Sequence, residues 1–324
     1  MELLLPALAI VGGFIALVWG ADRFVMGAAA TAQNLGVSPL VVGLTIVGFG
    51  TSAPEMLVSS IAAYRGAPDL SVGNAVGSNI ANIALVLGIA ALVNPLQVHQ
   101  KVLRRELPLM LGTMLLALGL LWDGHLGRID GAVLIGGLFV LIGFIVREGL
   151  KTRELPDDLA EELPDAMSTP MALFWVLLGL VVLLGSSELL VWGAKEIATS
   201  FGVSERVIGL TVVAFGTSLP ELAATVVAAK RNEHEIAVGN VVGSNMFNTL
   251  GVLGLPGVIQ PEAIGASVLW LDFPVMLGVA VLFWGLARLL RPYRHVSRPQ
   301  GAVLVAAYVG YLVSLFVLGR AAAA

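Results

Sequence analysis

Long apolar segments separated by short polar connections run along the whole chain. Most of them are long enough to cross about 30 Å of hydrocarbon as a helix, which takes roughly 20 residues. A membrane β-barrel would instead alternate polar and apolar residues with a period of two. The pattern therefore predicts an all-α membrane protein with ten transmembrane helices, at about residues 3–26, 37–64, 70–93, 107–122, 129–147, 170–194, 203–229, 236–259, 266–288 and 301–319.

Composition supports this prediction. Of the 324 residues, 57% are hydrophobic and 12% are charged, which is more apolar surface than a soluble core can bury. The segment at 107–122 is short, and we interpret it as a span because its counterpart at 266–288 is a clear one. No basic stretch precedes the first apolar segment, so we expect that segment to be retained as a span and not cleaved as a signal peptide.

The apolar pattern contains an internal repeat with an offset of 166 residues. The sequence VVGLTIVGFGTSAPE at 41–55 returns as VIGLTVVAFGTSLPE at 207–221, and VGNAVGSNIAN at 72–82 returns as VGNVVGSNMFN at 238–248. The repeat divides the chain into a first half, 1–147, and a second half, 169–324, of five spans each. Between them lies an acidic linker, 148–168; its acids could form a regulatory cation site, but they lack calcium-loop spacing, which favours a solvated linker.

The distribution of lysine and arginine predicts the orientation. With ten spans, five of the 18 basic residues lie on the face that carries both termini, and the other thirteen lie on the opposite face with the linker. The basic-rich face is expected to be cytoplasmic, which places both termini outside. Because five is an odd number, the second half enters the membrane from the opposite side. Inverted repeats of this kind are typical of secondary transporters.

Glu55 and Glu221 are the two acids of the repeated motif, and both lie well inside apolar segments. An ionisable group in the membrane is costly and is by default a functional hypothesis. Each also fits a capping box, because a serine stands three residues before it and a proline lies between them. A helix start at that depth breaks the span, here at Gly50 and Gly216, and broken backbone is tolerated there only within protein or beside water.

Other polar residues accompany these acids. Hydroxyl groups follow each predicted break, and the next helix carries three polar residues at spacing i, i+4, i+8 on one face. Side chains of this type in membrane helices also bond neighbouring helices, so a packing role and a ligand role both remain open. The residues are Thr51, Ser52, Asn74, Ser78 and Asn82 in the first half and Thr217, Ser218, Asn240, Ser244 and Asn248 in the second.

Together these groups form an all-oxygen set that suits hard cations such as calcium or sodium. The chain has no cysteine, and its histidines are predicted in loops, which argues against an intramembrane zinc site and against a Ser/His or Cys/His nucleophile. Four further acids stand near predicted helix ends, where we expect them to be interfacial. The histidines are His99, His125, His234 and His295, and the four acids are Asp22, Glu106, Glu188 and Asp272.

The paired GTSxPE and GSNxxN motifs on two inverted five-helix halves resemble the alpha repeats of the calcium/cation antiporter superfamily, most closely its prokaryotic sodium/calcium exchangers. The resemblance covers nearly the whole chain. It implies that Glu55 and Glu221 bind calcium together with the carbonyl groups of Thr51 and Thr217. It implies flanking sodium sites lined by the neighbouring threonine, serine and asparagine positions. Carried over to this chain, the sodium ligands are Ser52, Ser78, Ser218 and Ser244 with the carbonyls near Gly48 and Ala214, while Asn82 and Asn248 are ligand candidates from their own positions in the motifs.

One position distinguishes subgroups of that superfamily. Some members, including potassium-dependent exchangers, carry aspartate where this chain has Asn248. Both repeats here end in asparagine, so the central site has two acids. This argues against potassium co-transport and leaves proton coupling without a third acid.

The predicted function is secondary antiport of calcium against sodium across the plasma membrane by alternating access, with the two ions and the lipid bilayer as partners. No cofactor, enzymatic activity, nucleic acid or obligatory protein partner is expected. One alternative is a proton/calcium exchanger that uses Glu55 and Glu221 as proton carriers. Another is a structural or channel role, which would show ion conductance without dependence on a counter-ion. An intramembrane hydrolase with a glutamate base is disfavoured by the lack of embedded histidine, cysteine or paired aspartate.

Overall fold

A computed structural model describes residues 3–66, 68–151, 167–201, 214–289 and 295–321. Several predictions lie outside these residues: the linker acids Glu154, Asp157, Asp158, Glu161, Glu162 and Asp165, the start of the span at 203–229, and the basic residues Arg206 and Arg291. The described part is almost entirely helical. Its α-helices are α1 Leu4–Leu35, α2 Pro39–Val42, α3 Gly48–Thr51, α4 Ala53–Tyr64, α5 Pro68–Ile80, α6 Leu87–Val93, α7 Leu107–Leu120, α8 Arg128–Lys151, α9 Thr169–Ser200, α10 Ala214–Thr217, α11 Leu219–Lys230, α12 His234–Phe247, α13 Gly254–Ile259, α14 Phe273–Leu289 and α15 Arg298–Ala321.

Short π-helical segments join several of these α-helices without a loop. They run over Gly43–Val47, Ala81–Val86, Val102–Glu106, Asn248–Val252 and Val268–Asp272. Four of the five form two pairs at the repeat offset, so the local widening of the helix is itself duplicated. Segments of π-helix inside α-helices are frequent at functional sites.

Six helical stretches of the described residues are long and apolar enough to cross a membrane, and a seventh is added if the bent pair Pro39–Thr51 and Ala53–Tyr64 counts as one span. The six are Leu4–Leu35, Ser71–Val93, Arg128–Lys151, Thr169–Ser200, His234–Ile259 and Val268–Arg288. The chain is therefore a helical membrane protein. The other three predicted spans fall on α7, on α10 with α11, and on α15.

The first and sixth predicted spans are shorter than the helices that contain them. The sequence placed their ends at residues 26 and 194, whereas α1 continues to Leu35 and α9 to Ser200. Apolar content marks the part of a helix that suits lipid, while the helix itself ends where its backbone is capped. In α1 that cap is Gly36, whose left-handed φ of 64° is easily adopted by glycine.

The chain forms two compact units, each of which draws on both sequence halves. The first unit contains Met1–Pro54 and Ile142–Asn240. Its centre is the antiparallel pair α1 and α9, which approach closely at glycines. A Cβ atom at Gly27 would lie 2.7 Å from the nitrogen of Val176, and one at Gly179 would lie 2.5 Å from the nitrogen of Phe24, so neither position has room for a side chain.

The second unit contains Glu55–Leu141 and Val241–Ala324. Four two-residue strands in its connections form two antiparallel pairs: β1 Leu96–Gln97 with β4 His295–Val296, and β2 His125–Leu126 with β3 Glu262–Ala263. Strands β1 and β3 are equivalent in the repeat, as are β2 and β4. Each half therefore pairs its first strand with the second strand of the other half, as a two-fold related pair of repeats would.

Candidate cation-binding residues

The two helix interruptions lie at Ser52 and Ser218, each two residues after the glycine at which the sequence predicted a break. Helix α3 continues through Gly50 to Thr51, and the interruption falls at Ser52, with φ −82° and ψ 0°. In the second half α10 ends at Thr217, and Ser218 has φ −90° and ψ 2°. The prediction of breaks at the glycines was wrong, because the prolines two residues after each serine end the regular bonding, and glycine alone does not.

Each proline removes one helical hydrogen bond. Pro54 has no N–H group to donate to the carbonyl of Gly50, and Pro220 has none for Gly216. In the second half, the hydroxyl of Ser187 donates to the Gly216 carbonyl at 2.8 Å. The equivalent position in the first half is Ala21, which has no hydroxyl. The two breaks therefore differ in how one freed carbonyl is satisfied.

The Glu221 side chain lies in the first unit and is fully buried, in the first turn of α11. Its carboxyl group is close to the hydroxyl groups of Thr51 and Ser52. Neither carboxyl oxygen, however, makes a hydrogen bond of good geometry with the described residues. A buried carboxyl group with hydroxyl oxygens beside it can bind a cation, whose charge would compensate the cost of ionising the group there.

The capping box expected around Glu221 does not form. Ser218 occupies the N-cap position but its side chain makes no capping bond, and the Glu221 oxygens do not reach back to it. In the first half, the N–H group of Ser52 already donates to the carbonyl of Gly48 at 3.1 Å, so it is not available to a capping side chain. This bond caps the end of α3.

Asn240 connects the parts of the first unit around Glu221. Its side-chain amide donates to the backbone carbonyl of Glu221 at 3.4 Å and to the hydroxyl of Thr225 at 2.9 Å. Its side-chain oxygen lies 3.1 Å from the hydroxyl of Thr51, whose single proton has this oxygen and the carbonyl of Val47, also at 3.1 Å, as acceptors. Asn240 thus holds the backbone that carries the glutamate, and takes the interhelical role that the sequence left open.

Asn74 makes the same contacts around Glu55 in the second unit. Its amide donates to the backbone carbonyl of Glu55 at 3.2 Å and to the hydroxyl of Ser59 at 3.0 Å. Ser59 and Ser71 then exchange two hydroxyl-to-carbonyl bonds, of 3.2 and 3.0 Å, that join α4 to α5. The Glu55 side chain is fully buried at the start of α4. Both glutamates are therefore fixed by an asparagine 19 residues further along the chain.

Asn82 and Asn248 lie in the π-helical segments of the second unit. Both side chains are fully buried, and none of their amide atoms has a hydrogen-bond partner among the described residues. The wider turn at Asn248 is closed by a bond of 3.0 Å from the N–H group of Leu253 to its carbonyl. An unpaired buried polar group costs about 1–3 kcal/mol, so unpaired amides at both equivalent positions suggest ligands. Ser78 and Ser244 are also buried.

A second pair of asparagines in these motifs was missed by the sequence interpretation. Asn79 donates to the hydroxyl of Thr249 at 2.8 Å, and Thr249 donates to the carbonyl of Asn245 at 2.8 Å. The side-chain oxygens of Asn79 and Asn245 are buried without a partner among the described residues. The repeat of the dipeptide Ser-Asn in both halves was the signal that could have shown them. These bonds attach α5 to the π-helical segment that begins at Asn248.

Two of the four acids expected at the interface make buried or half-buried contacts. Glu106 is fully buried, which the sequence did not predict, and it accepts bonds of 2.8 and 2.6 Å from Arg105. Asp272 accepts a bond of 2.8 Å from the hydroxyl of Tyr311. Both acids end π-helical segments. The others are more accessible: Asp22 pairs with Arg231, and Glu188 is exposed.

The twelve predicted ligands are divided between the two units. Among the described residues, no group of three or more histidine, cysteine, aspartate or glutamate side chains could hold a metal. Three of the histidines also differ from expectation, since His125 and His295 lie in strands and His234 begins a helix. The first unit contains Gly48, Thr51, Ser52, Ala214, Thr217, Ser218 and Glu221, and the second contains Glu55, Ser78, Asn82, Ser244 and Asn248.

Comparison with known proteins defines the class to which this helical membrane protein belongs. The model of the sodium/calcium exchanger protein family matches residues 5–147 and, separately, residues 171–317. The two matches together cover most of the chain. The chain therefore belongs to the sodium/calcium exchanger family, whose members are transporters.

Individual relatives agree with this assignment over nearly the full length. The chain is 43% identical over 319 residues to CaxA of Alkalimonas amylolytica, covering 97% of this chain and 99% of the relative. It is 40% identical over 319 residues to the inner membrane protein YrbG of Escherichia coli strain K12, covering 97% of both. Among solved structures, the sodium-calcium exchanger NCX_Mj matches with a TM-score of 0.84 and 34% identity, over 97% of this chain and 99% of that one.

Proposed function

We propose that this protein exchanges calcium for sodium across the plasma membrane. The observation that carries the proposal is the duplicated placement of a fully buried glutamate on a helix that starts at a serine interruption, with its backbone held by an asparagine. Burying a carboxylate in a membrane protein costs free energy unless an opposite charge lies beside it. Such residues therefore mark ion pathways and binding sites. Glu55 and Glu221 supply two negative charges, which match one calcium ion.

The proposed ligand set contains oxygen atoms alone. Calcium binds to the two glutamates and to the carbonyl groups of Thr51 and Thr217, because hard divalent cations prefer carboxylate and carbonyl oxygen. Sodium binds to neighbouring hydroxyl, amide and carbonyl oxygens. The sodium ligands proposed are Ser52, Ser78, Asn82, Ser218, Ser244 and Asn248, with the carbonyls of Gly48 and Ala214. Calcium and sodium are cargo in this scheme, and no cofactor takes part.

Three sodium ions for one calcium ion would move one net charge per cycle, which makes the proposed exchange electrogenic. One elementary charge crossing the membrane changes the free energy by about 2.3 kcal/mol per 100 mV. A membrane potential that is negative inside would therefore favour sodium entry coupled to calcium exit. The same coupling would be reversed by a sodium gradient of opposite direction.

The proposed architecture is ten spans in two inverted repeats, 1–147 and 169–324, around a cytoplasmic linker, 148–168. The exchanged pairing of strands β1 with β4 and β2 with β3 supports a two-fold relation between the halves. The two separate matches of the family model, at 5–147 and 171–317, support the same division. Repeats of opposite orientation provide two states of similar energy that open to opposite sides, which is the basis of alternating access.

The experiment that tests the function is isotopic calcium uptake into proteoliposomes that contain the purified protein. Vesicles loaded with sodium, with potassium or with buffered acid are diluted into calcium at clamped external pH. Uptake driven by internal sodium alone supports the proposal. Uptake driven by the proton gradient and indifferent to sodium would instead identify a proton/calcium exchanger that uses the same glutamates, and conductance without any counter-ion would identify a channel.

A further inference from the structure

Arg23 lies on α1, and its guanidinium group is close to the rings of two tryptophans. The guanidinium carbon is 5.7 Å from the centre of the Trp19 ring and 5.0 Å from that of Trp175, which lies on α9. The rings meet edge to face, with centres 6.3 Å apart. The remaining contact is a long one, 3.9 Å, to the sulfur of Met26. Among the described residues, no carboxylate neutralises this arginine, and its Nε is buried without an acceptor.

The neighbouring acid does not supply the missing charge. Asp22 accepts from Arg231 at 2.7 Å and forms an ion pair of 2.6 Å with the same residue. Arg231 follows the last residue of α11, in the short connection to α12. Chain reversals between membrane spans occur where water can reach the backbone. Asp22 and Arg23 are therefore near the level at which this unit meets the membrane surface.

The side chains around Arg23 are apolar and exposed, so no other part of the first unit covers them. Trp19 is 41% exposed and Phe174 is 51% exposed, while Val18 and Leu177, in the same turns of α1 and α9, are 44% and 65% exposed. Phe174 also packs edge to face on Trp175, with ring centres 5.3 Å apart. On a membrane protein such a surface contacts lipid. Tryptophan is enriched at the level of the lipid headgroups, which agrees with the position derived from Arg231.

We propose that Arg23, Trp19 and Trp175 bind the headgroup phosphate of an acidic phospholipid. The guanidinium group presents a flat set of donors that matches phosphate oxygens, and the two rings restrict its orientation. Apolar side chains beside it accommodate the acyl chains, which a free phosphate ion would not use. The ligand is therefore a lipid and not a free phosphate ion. The proposal does not depend on which ion the protein transports. If the basic-rich face is cytoplasmic, the lipid is one of the anionic lipids enriched in that leaflet.

The test is quenching of tryptophan fluorescence by brominated phosphatidylglycerol and by brominated phosphatidylcholine, with the full-length protein in a neutral detergent. The wild type should show excess quenching by phosphatidylglycerol at low lipid fraction. In Arg23→Gln this excess should require about fivefold more lipid, since a basic residue near an anionic surface contributes roughly 1 kcal/mol. Arg23→Lys keeps the charge without the planar donors and should fall between the two.

Arg288→Gln is the matched control, because Arg288 stacks on a single tryptophan, Trp284, at 4.5 Å and has an exposed side chain. It should retain the excess quenching. The proposal is overturned if Arg23→Gln keeps the wild-type preference, if Arg288→Gln loses as much, or if millimolar inorganic phosphate displaces the lipid as well as phosphatidylglycerol does. If Arg23→Gln does not fold, Arg23→Lys and Trp175→Leu are compared with the wild type in its place. The proposal is also overturned if both of these variants keep the wild-type preference for phosphatidylglycerol.

Discussion

Ser187 donates a hydrogen bond of 2.8 Å to the carbonyl of Gly216, the carbonyl that Pro220 leaves without its helical donor. The first half has Ala21 at the equivalent position. The two helix interruptions are thus alike in backbone but unlike in this one partner. The interruption before Glu221 is bonded to α9 through the Ser187 hydroxyl. The interruption before Glu55 cannot have the same bond, because Ala21 has no hydroxyl group.

Ser187→Ala should lower the free energy of unfolding of the purified protein by about 1 kcal/mol, and with it the unfolding temperature, because it leaves a buried carbonyl without a donor. The midpoint of thermal unfolding in detergent measures this. Ser186→Ala is the matched control, since the Ser186 hydroxyl bonds the carbonyl of Leu183 in its own helix. Equal midpoints for the two variants would show that the bond to Gly216 contributes nothing specific.

Glu55→Gln and Glu221→Gln should each abolish sodium-dependent calcium uptake, because each removes half of the charge proposed to oppose calcium. Glu188→Gln, a change of the same kind at an exposed acid of α9, should leave uptake near the wild-type rate. Size-exclusion profiles of the detergent-solubilised variants check that they are folded. Near-normal uptake by either site variant would refute its proposed role.

Asn74→Ala and Asn240→Ala should raise the calcium concentration needed for half-maximal uptake. Each removes the donor that holds the backbone of one glutamate, and a loss of about 1 kcal/mol in positioning corresponds to roughly fivefold in affinity. Calcium titration of uptake at fixed sodium measures the change. Ser60→Ala removes a hydroxyl that donates to the Met56 carbonyl in its own helix, and serves as the control. An unchanged calcium dependence in both asparagine variants would contradict the prediction.

The orientation can be tested with single cysteines, since the chain contains none of its own. A cysteine within residues 154–165 of the linker should react with a membrane-impermeant maleimide only from the cytoplasmic side. A cysteine in place of Ala324 should react only from outside. The expectation follows from the thirteen-to-five distribution of basic residues and an even number of spans. Labelling of both positions from the same side would refute the ten-span arrangement.

Glu233, in the connection between α11 and α12, predicts a pH effect on stability. Burial raises the pKa of its carboxyl group above the ordinary value of 4.5. The positive charge of Arg231 partly opposes this rise in pKa, and the negative charge of Glu235 adds to it. An acid whose pKa is raised on folding contributes full stability below its unfolded pKa and loses it as the pH rises through the folded pKa. Glu233→Gln should therefore raise the unfolding midpoint at pH 8 and leave it unchanged at pH 4.

Glu235→Gln is the contrasting variant for that measurement. The Glu235 carboxylate accepts a bond of 3.1 Å from the N–H group of Leu40, so its neutralisation should lower the midpoint at pH 8. If Glu233→Gln lowers stability at pH 8 as Glu235→Gln does, the charged form of Glu233 is favourable and the predicted sign is wrong.

The division of the chain into compact units was not visible in the repeat. The sequence separates residues 1–147 from 169–324, whereas each unit combines pieces of both halves. The repeat records a duplicated pattern along the chain, but contacts such as that between Asn79 and Thr249 join residues 170 positions apart. Such contacts depend on how the helices pack, and no local pattern encodes their partner.

The sequence by itself determined the helical membrane class, the duplicated motifs and the buried position of Glu55 and Glu221. The class and the burial follow from hydropathy, and the duplication can be read directly along the chain. The exchanger family was indicated by the resemblance of the duplicated motifs, and the family comparison confirmed it. The tertiary structure decided that the interruptions fall at Ser52 and Ser218, that Ser187 satisfies one freed carbonyl, and that Arg23 contacts tryptophans of two helices. Those features require side chains distant in the chain to meet, and a buried polar group is stable only when such a partner or a ligand reaches it.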